Sequence, residues 1–240
     1  IDSDSFNIHD DFLSPLLVNQ EVHEIFIMVN KGDDCCPVLL DAKLHFEHDS
    51  QIVLAVMTDI SGLVATQKEL DHQATHDLLT GLLNRFGFQN RVEKRLVDCS
   101  SSDAYALIMI DLDHFKSIND KYGHSSGDKV LVEFAQVINL NSRNTDFLAR
   151  WGGEEFLLIC PNTTLDEAFE LAESLRVILS EHQWPENINL TASFGVAQKE
   201  NETIDKFIER TDQALYSAKN NGRNTVVKST GSSIDASIQF

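Results

Sequence analysis

The chain has 240 residues and a mass of 26.9 kDa, and 42% of the residues are hydrophobic, which is enough to bury one large core or two small ones. It carries 19 Lys and Arg against 38 Asp and Glu, for a formal net charge of −19 and a sequence pI near 4.7. A field of that sign repels phosphate backbones, so non-specific binding to nucleic acid or to anionic membranes is excluded, and a phosphate-bearing ligand would need local cations or a metal. The charge is uneven: residues 1–70 hold 13 acids and 3 bases, whereas residues 71–240 hold 25 acids and 16 bases.

The longest apolar run near the start, Ile52 to Met57, is far shorter than a membrane span, and no transmembrane segment is expected in this chain. An opening at Ile1 with no basic-then-apolar leader points to a piece of something longer, and a cytoplasmic location is expected. The cysteines, Cys35, Cys36, Cys99 and Cys160, have no zinc-like spacing and read as reduced thiols. Residues 22–30, 37–46 and 51–60 alternate as strands separated by turn clusters, an antiparallel meander. From Ile60 the apolar positions change to spacings of three and four (Leu63, Val64, Leu70, Ala74), a short helical stripe. That stripe fits a helix packed on its own domain and equally a dimeric coiled-coil stub joining two domains. After His76 the order is helix (85–98), strand (105–113), helices to about Leu140, strand (146–151), a Gly152-Gly153 hairpin turn, strand (155–160), helix (165–181), strand (189–197), helix (204–220) and strand (224–228). The Ser-rich tail from Ser229 reads as mobile.

Two acidic stretches carry the candidate chemistry. The apolar strand at 105–113 ends in Asp111-Leu112-Asp113, with the two acids on one face, at the strand end where α/β sheets bind ligands. Acids also cap and turn strand ends, so the stretch needs a partner. Gly152-Gly153-Glu154-Glu155-Phe156 supplies one: consecutive acids on a tight turn repel each other, and a divalent cation would relieve them. Oxygen ligation by Asp111, Glu154 and Glu155 suits Mg²⁺ or Mn²⁺ bridging to substrate phosphates; the plain alternative is a solvated hairpin tip.

HDLLTGLLNR, DLDHFKSINDKYGHSSGD, RWGGEEF, TASFGVA and ALYSAKNNGRN, in that order along the chain, resemble the GGDEF family of diguanylate cyclases over roughly residues 72–228. Residues 1–65 resemble the C-terminal half of a PAS domain and end in the MTDIS that commonly precedes a connecting helix. The resemblance implies an α/β (α+β) fold: a central mixed, mainly antiparallel sheet flanked by helices, palm-like or nucleotidyl-cyclase-like, preceded by a partial PAS-like antiparallel sheet and a linker helix. The implied divisions are a PAS-like segment at 1–60, the linker at 61–75, the GGDEF domain at 76–228 and a tail at 229–240. It further implies that Asp111, the Leu112 carbonyl, Glu154 and Glu155 hold the metal, that Glu154 takes the 3′-hydroxyl proton, and that Lys116 stabilises phosphate charge during transfer. Asn119, His124 and Asp128 match positions that hold the guanine nucleotide, and Lys219 and Arg223 match the clamp on its terminal phosphates.

The implied reaction condenses two GTP into cyclic di-GMP, each 3′-oxygen attacking the other's α-phosphate with loss of pyrophosphate, so a homodimer is part of catalysis. Arg143-Asn144-Thr145-Asp146 matches the family's inhibitory R-x-x-D, where Arg and Asp grip bound product; alone, the string is usually an exposed ion pair at a helix end. Two prolines of the family's HDPLTGLPNR are replaced by Leu78 and Leu83, and GGEEF stands for GGDEF, changes that leave a carboxylate at the turn. Two other readings compete: a catalytically silent GTP or cyclic di-GMP receptor, and a different nucleotidyl cyclase or polymerase-like palm. The retained Asp111, Lys116, Glu154 and Glu155 count against the first, and Asn119 and Asp128 favour guanine over the second.

Overall fold

A computed structural model of the chain describes residues 7–31, 34–47, 50–97 and 104–229; Cys99, the end of the helix expected at 85–98 and the tail after Ser229 lie outside the described residues. The chain divides into two compact units, Ile1–His72 and Gln73–Phe240.

In the first unit a π-helical turn, Ile8–Leu13, runs into the short helix α1, Ser14–Asn19, which stops at a left-handed Gln20. The strand pattern does not anticipate them, because six residues are too few for a helical stripe to register. The meander follows as expected: β1 (Glu21–Lys31), β2 (Asp34–Glu47) and β3 (Ser50–Asp59), each antiparallel to its neighbour. Leu16 of α1 closes a small core with Val22, Ala42 and Leu44. β3 is exposed along its length, leaving Val53, Leu54, Val56 and Met57 uncovered. Helix α2, Ser61–Thr75, starts where Asp59 accepts the Ser61 N–H; none of its residues is buried, and Leu63 and Leu70, seven positions apart, are both exposed.

The second unit comprises α3 (Arg85–Val97), β4 (Tyr105–Leu112), α4 (Phe115–Tyr122), α5 (His124–Leu140), β5 (Phe147–Gly152), β6 (Glu155–Pro161), α6 (Leu165–Glu181), β7 (Ala192–Gln198), α7 (Ile204–Asn220) and β8 (Val226–Lys228). The strands form one mixed sheet in the order β5-β6-β4-β7-β8, antiparallel except for the β7–β8 pair. Every residue of β4 is buried, so its alternation feeds two cores. Ala106, Ile108 and Ile110 pack with Phe134 of α5 and Leu175 of α6; Leu107 and Met109 pack with Phe88 of α3 and Phe207 and Leu215 of α7. Cys160, near the end of β6, is buried, and burial pushes its thiol far above the ordinary range. Thr164 and Glu167 form a reciprocal capping box at the start of α6, and Thr203 caps α7.

Two strands start two or more residues later than the sequence pattern implies. The strand expected at 189–197 begins only at Ala192, after a 3-10 turn at Pro185–Asn187 in which Glu186 and Asn187 have φ of 59° and 54°. The last strand, expected at 224–228, begins at Val226, because Arg223 and Asn224 have φ of 65° and 44° and cannot lie in a strand.

Candidate active site

The apolar drive that buries β4 carries Asp111 into the structure with it, at 7% exposure. Register then places Asp111 directly opposite Glu155, the first residue of β6. Directly opposed residues of an antiparallel pair share a face, so the two carboxylates converge. Glu154 occupies the turn between β5 and β6, and its carbonyl accepts the Leu112 N–H at 3.3 Å, which draws the turn against the end of β4. Burial, reinforced by the charges of Glu154 and Glu155, pushes the Asp111 carboxyl up to about 6 even though the Lys219 ammonium lies 2.8 Å from its Oδ2. Glu155 is raised as well, by burial and by Asp212 and Glu154, with Lys219 again opposing. One ammonium from the last turn of α7 therefore faces a crowd of carboxylates.

The hairpin differs in detail from a two-glycine turn. Gly152 remains in β5 and pairs with Glu155, so the turn residues are Gly153 and Glu154. Only Gly153 has positive φ, 51°, the pattern of a type II′ rather than a type I′ turn. Its carbonyl accepts two bonds from Arg150, Nε at 3.0 Å and Nη2 at 2.8 Å, while Nη1 of the same guanidinium holds Asp77 at 3.0 and 3.2 Å. Asp77 also accepts the Thr80 N–H and hydroxyl, and Arg150 N donates to the Leu83 carbonyl. The HDLLTGLLNR segment is thus pinned to the strand that presents the acidic turn. Arg150 and Asp77 lie inside the two motif blocks, yet their 73-residue separation conceals the pairing from a reading of the sequence.

The remaining candidates fall into three groups. Asn119, on α4, sets its amide against α5 at Gly127: a Cβ there would lie 1.9 Å from Asn119 Oδ1. Asp128 follows immediately and lines a shallow groove of about 390 Å³ with Leu79 and Ser125, while His124 is exposed at the start of α5. Lys116 is exposed in the first turn of α4, and Arg223 is exposed just beyond α7. Arg143 and Asp146 lie at the far end of β5 from the acidic turn. They close a turn in which the Arg143 N–H donates to the Asp146 carboxylate Oδ2 and the Asp146 N–H donates to the Arg143 carbonyl, both at 2.9 Å, instead of the helix-end ion pair that is the plainer reading of R-x-x-D. Asp146 Oδ1 is buried with no hydrogen-bond partner, and burial raises its carboxyl against the pull of Arg143 and Thr145. Asp113 is not part of the acidic crowd. It is 5% exposed and accepts the hydroxyls of Thr191 and Ser193 and the Asn224 N–H.

Among the described residues no group of three or more His, Cys, Asp or Glu closes into a metal cage. What is present is an open edge of carboxylate oxygens in which Asp111 is raised chiefly by burial and further by Glu154 and Glu155, a donor set suited to a hard cation that keeps positions free for other oxygens. No helix of the described residues is long and apolar enough to cross a membrane.

Residues 74–225 match the model of the family described as diguanylate cyclase, GGDEF domain, and the chain belongs to this family. It is 42% identical over 182 residues to diguanylate cyclase DgcM of Escherichia coli K12, covering 75% of this chain and 44% of that protein, so it spans less than half the length of that relative. The coiled coil and GGDEF domain of DgcB from Caulobacter crescentus, solved in complex with c-di-GMP, superposes with a TM-score of 0.65 at 30% identity, covering 70% of this chain and 93% of that one. The active GGEEF domain of a diguanylate cyclase from Vibrio cholerae, which has the same turn sequence, gives a TM-score of 0.52 at 37% identity over 62% of this chain and 92% of that one.

The Arg150–Asp77 clamp makes a stability prediction with a definite sign. Burial alone would raise the Asp77 carboxyl, but the Thr80 hydroxyl and N–H and the Arg150 guanidinium outweigh it and hold it below the ordinary range. Its contribution is therefore present above the ordinary Asp value of about 4 and lost as pH falls through the depressed value. With side chains only 15% and 24% exposed, Asp77→Asn should cost about 1.5–3 kcal/mol at pH 7, and the gap to the parent should close toward pH 3 in urea titrations followed by circular dichroism.

Proposed function

We propose that this chain is a diguanylate cyclase that condenses two GTP into cyclic di-GMP and two pyrophosphates. The observation that carries the reading is the register pair Asp111–Glu155 beside Glu154, with Lys219 as their cation: stability does not call for this crowding, and phosphoryl transfer does. Asp111, the Leu112 carbonyl, Glu154 and Glu155 would hold Mg²⁺ or Mn²⁺, which when bound supplies neutralisation of phosphate charge. Glu154 takes the proton from the 3′-hydroxyl as its oxygen attacks the α-phosphorus of the second GTP, and the α–β bridging P–O bond breaks to release pyrophosphate. Lys116, Lys219 and Arg223 balance charge on the phosphates. Asn119, Asp128 and His124 receive the guanine nucleotide, the amide and carboxylate matching donors and acceptors on the base edge.

One site holds one GTP, so two copies must face each other, and α2, with its uncovered Leu63 and Leu70, is the segment we assign to bringing them together. The sheet β1–β3 is read as the remaining part of a PAS-like input domain, giving divisions at 1–60, 61–75 and 76–228. Arg143 and Asp146 form a product-inhibition site, where the buried, unpartnered Asp146 Oδ1 supports a role beyond closing the turn.

Incubation with GTP and Mg²⁺ should yield cyclic di-GMP by chromatography, with no product in excess EDTA; Glu154→Gln should lower the rate at least about a hundredfold while GTP still binds. GTP binding without product in the parent chain would leave a silent receptor instead. Gly127→Ala should push the Asn119 amide aside and press the buried Phe115 ring by a few tenths of an ångström, lowering GTP affinity about tenfold while costing only a few degrees of melting temperature. Arg143→Ala should keep initial turnover and remove inhibition by added cyclic di-GMP; unchanged inhibition would remove the site.

A further inference from the structure

The end of β4 carries two buried acids with different company. Asp111 meets the ammonium of Lys219, whereas no Lys or Arg pairs with Asp113 among the described residues. Its Oδ1 accepts the Ser193 hydroxyl at 2.7 Å, and its Oδ2 accepts both the Thr191 hydroxyl at 2.7 Å and the Asn224 N–H at 3.0 Å. Two of these donors, Thr191 just before β7 and Ser193 near its start, come from the neighbouring strand. The third comes from the loop after α7, whose backbone is unusual: Gly222, Arg223 and Asn224 have φ of 106°, 65° and 44°. Two consecutive residues with side chains in the left-handed region persist only where surrounding contacts hold them. The contacts are visible. Arg223 N donates to the Ala218 carbonyl, Arg176 Nη1 donates to Asn224 Oδ1 at 3.2 Å, and the Asp113 carboxylate takes the Asn224 N–H from inside the core.

We propose that Asp113 is a positioning residue for substrate binding: by holding Asn224 it fixes the left-handed turn that aims Arg223, and so keeps a phosphate-binding cation in register with the acids at the end of the same strand. The proposal rests on the reading of Arg223 as a phosphate ligand. Asp111 through Lys219 and Asp113 through Asn224 then tie the metal-binding edge and the phosphate-binding loop together at two points on one short stretch of β4.

The test compares two ligands that share a guanine and differ in phosphates, GMP and GTP with a methylene α–β bridge, titrated calorimetrically onto the full chain with Mg²⁺. Asp113→Asn should lower affinity for the triphosphate about tenfold and leave GMP within twofold, and should add nothing further in an Arg223→Ala background. Equal losses for both ligands would make Asp113 merely structural, and additive losses or no loss would equally overturn the proposal. Asn224→Ala keeps the N–H that Asp113 accepts but removes the Arg176 contact and makes the left-handed turn harder to hold; it should give the same selective loss, and Asp113→Glu, which keeps the carboxylate but misplaces it, should give that loss too if Asp113→Asn fails to fold, parent-like triphosphate binding by either variant overturning the proposal. Arg223→Ala binding the triphosphate as well as the parent does would instead dispose of the phosphate reading on which the proposal rests.

Discussion

The second unit is organised around like-charge crowding at the end of its central strand. Burying β4 on both faces gives the sheet its core, and the same burial forces Asp111 against Glu155 and the turn residue Glu154. Burial is the main cause that lifts the Asp111 carboxyl, Glu154 and Glu155 add to it, and the Lys219 ammonium opposes both. The crowd is tolerable because rigid elements prevent its dispersal: Arg150 locks the turn to Asp77, and Asp113 locks the strand end to the loop after α7. A desolvated carboxylate edge held in place this way has the oxygen donors that a hard cation prefers.

The sequence makes the strands and helices of the second unit legible because their apolar patterns are strong and their caps sit at the boundaries, as at Thr164 and Thr203. The pairing of Asp111 with the GGEEF turn is legible only as motif order, since register is a property of the sheet. What escapes is of two kinds. Long-range polar contacts such as Arg150–Asp77 and Asp113–Asn224 join residues that carry no mutual mark in the chain. Backbone departures such as left-handed Arg223 and Asn224 shorten a strand that composition favours. The six-residue α1 is missed for want of length alone.

The overall acidity also acquires a local meaning. A net charge of −19 disfavours polyanionic partners, yet the acids of the candidate site are few, half-buried or buried, and faced by Lys219. Most of the bases lie beyond residue 70, in the unit where phosphate would be met.

The sheet order has a further consequence for the time at which the site exists. The meander β1–β3 pairs neighbours in sequence, so its contacts close short loops. In the second unit Ile110 pairs with Phe194, 84 positions onward, and Asp111 and Asp113 find Lys219 and Asn224 later still. Non-local pairings of this kind form slowly, because the loop entropy must be lost before any contact repays it. On a ribosome, the first unit has all its strands long before the second can complete a sheet. The acidic edge is therefore among the last features of the molecule to assemble, and its carboxylates remain hydrated and mutually distant until almost the whole chain has been made.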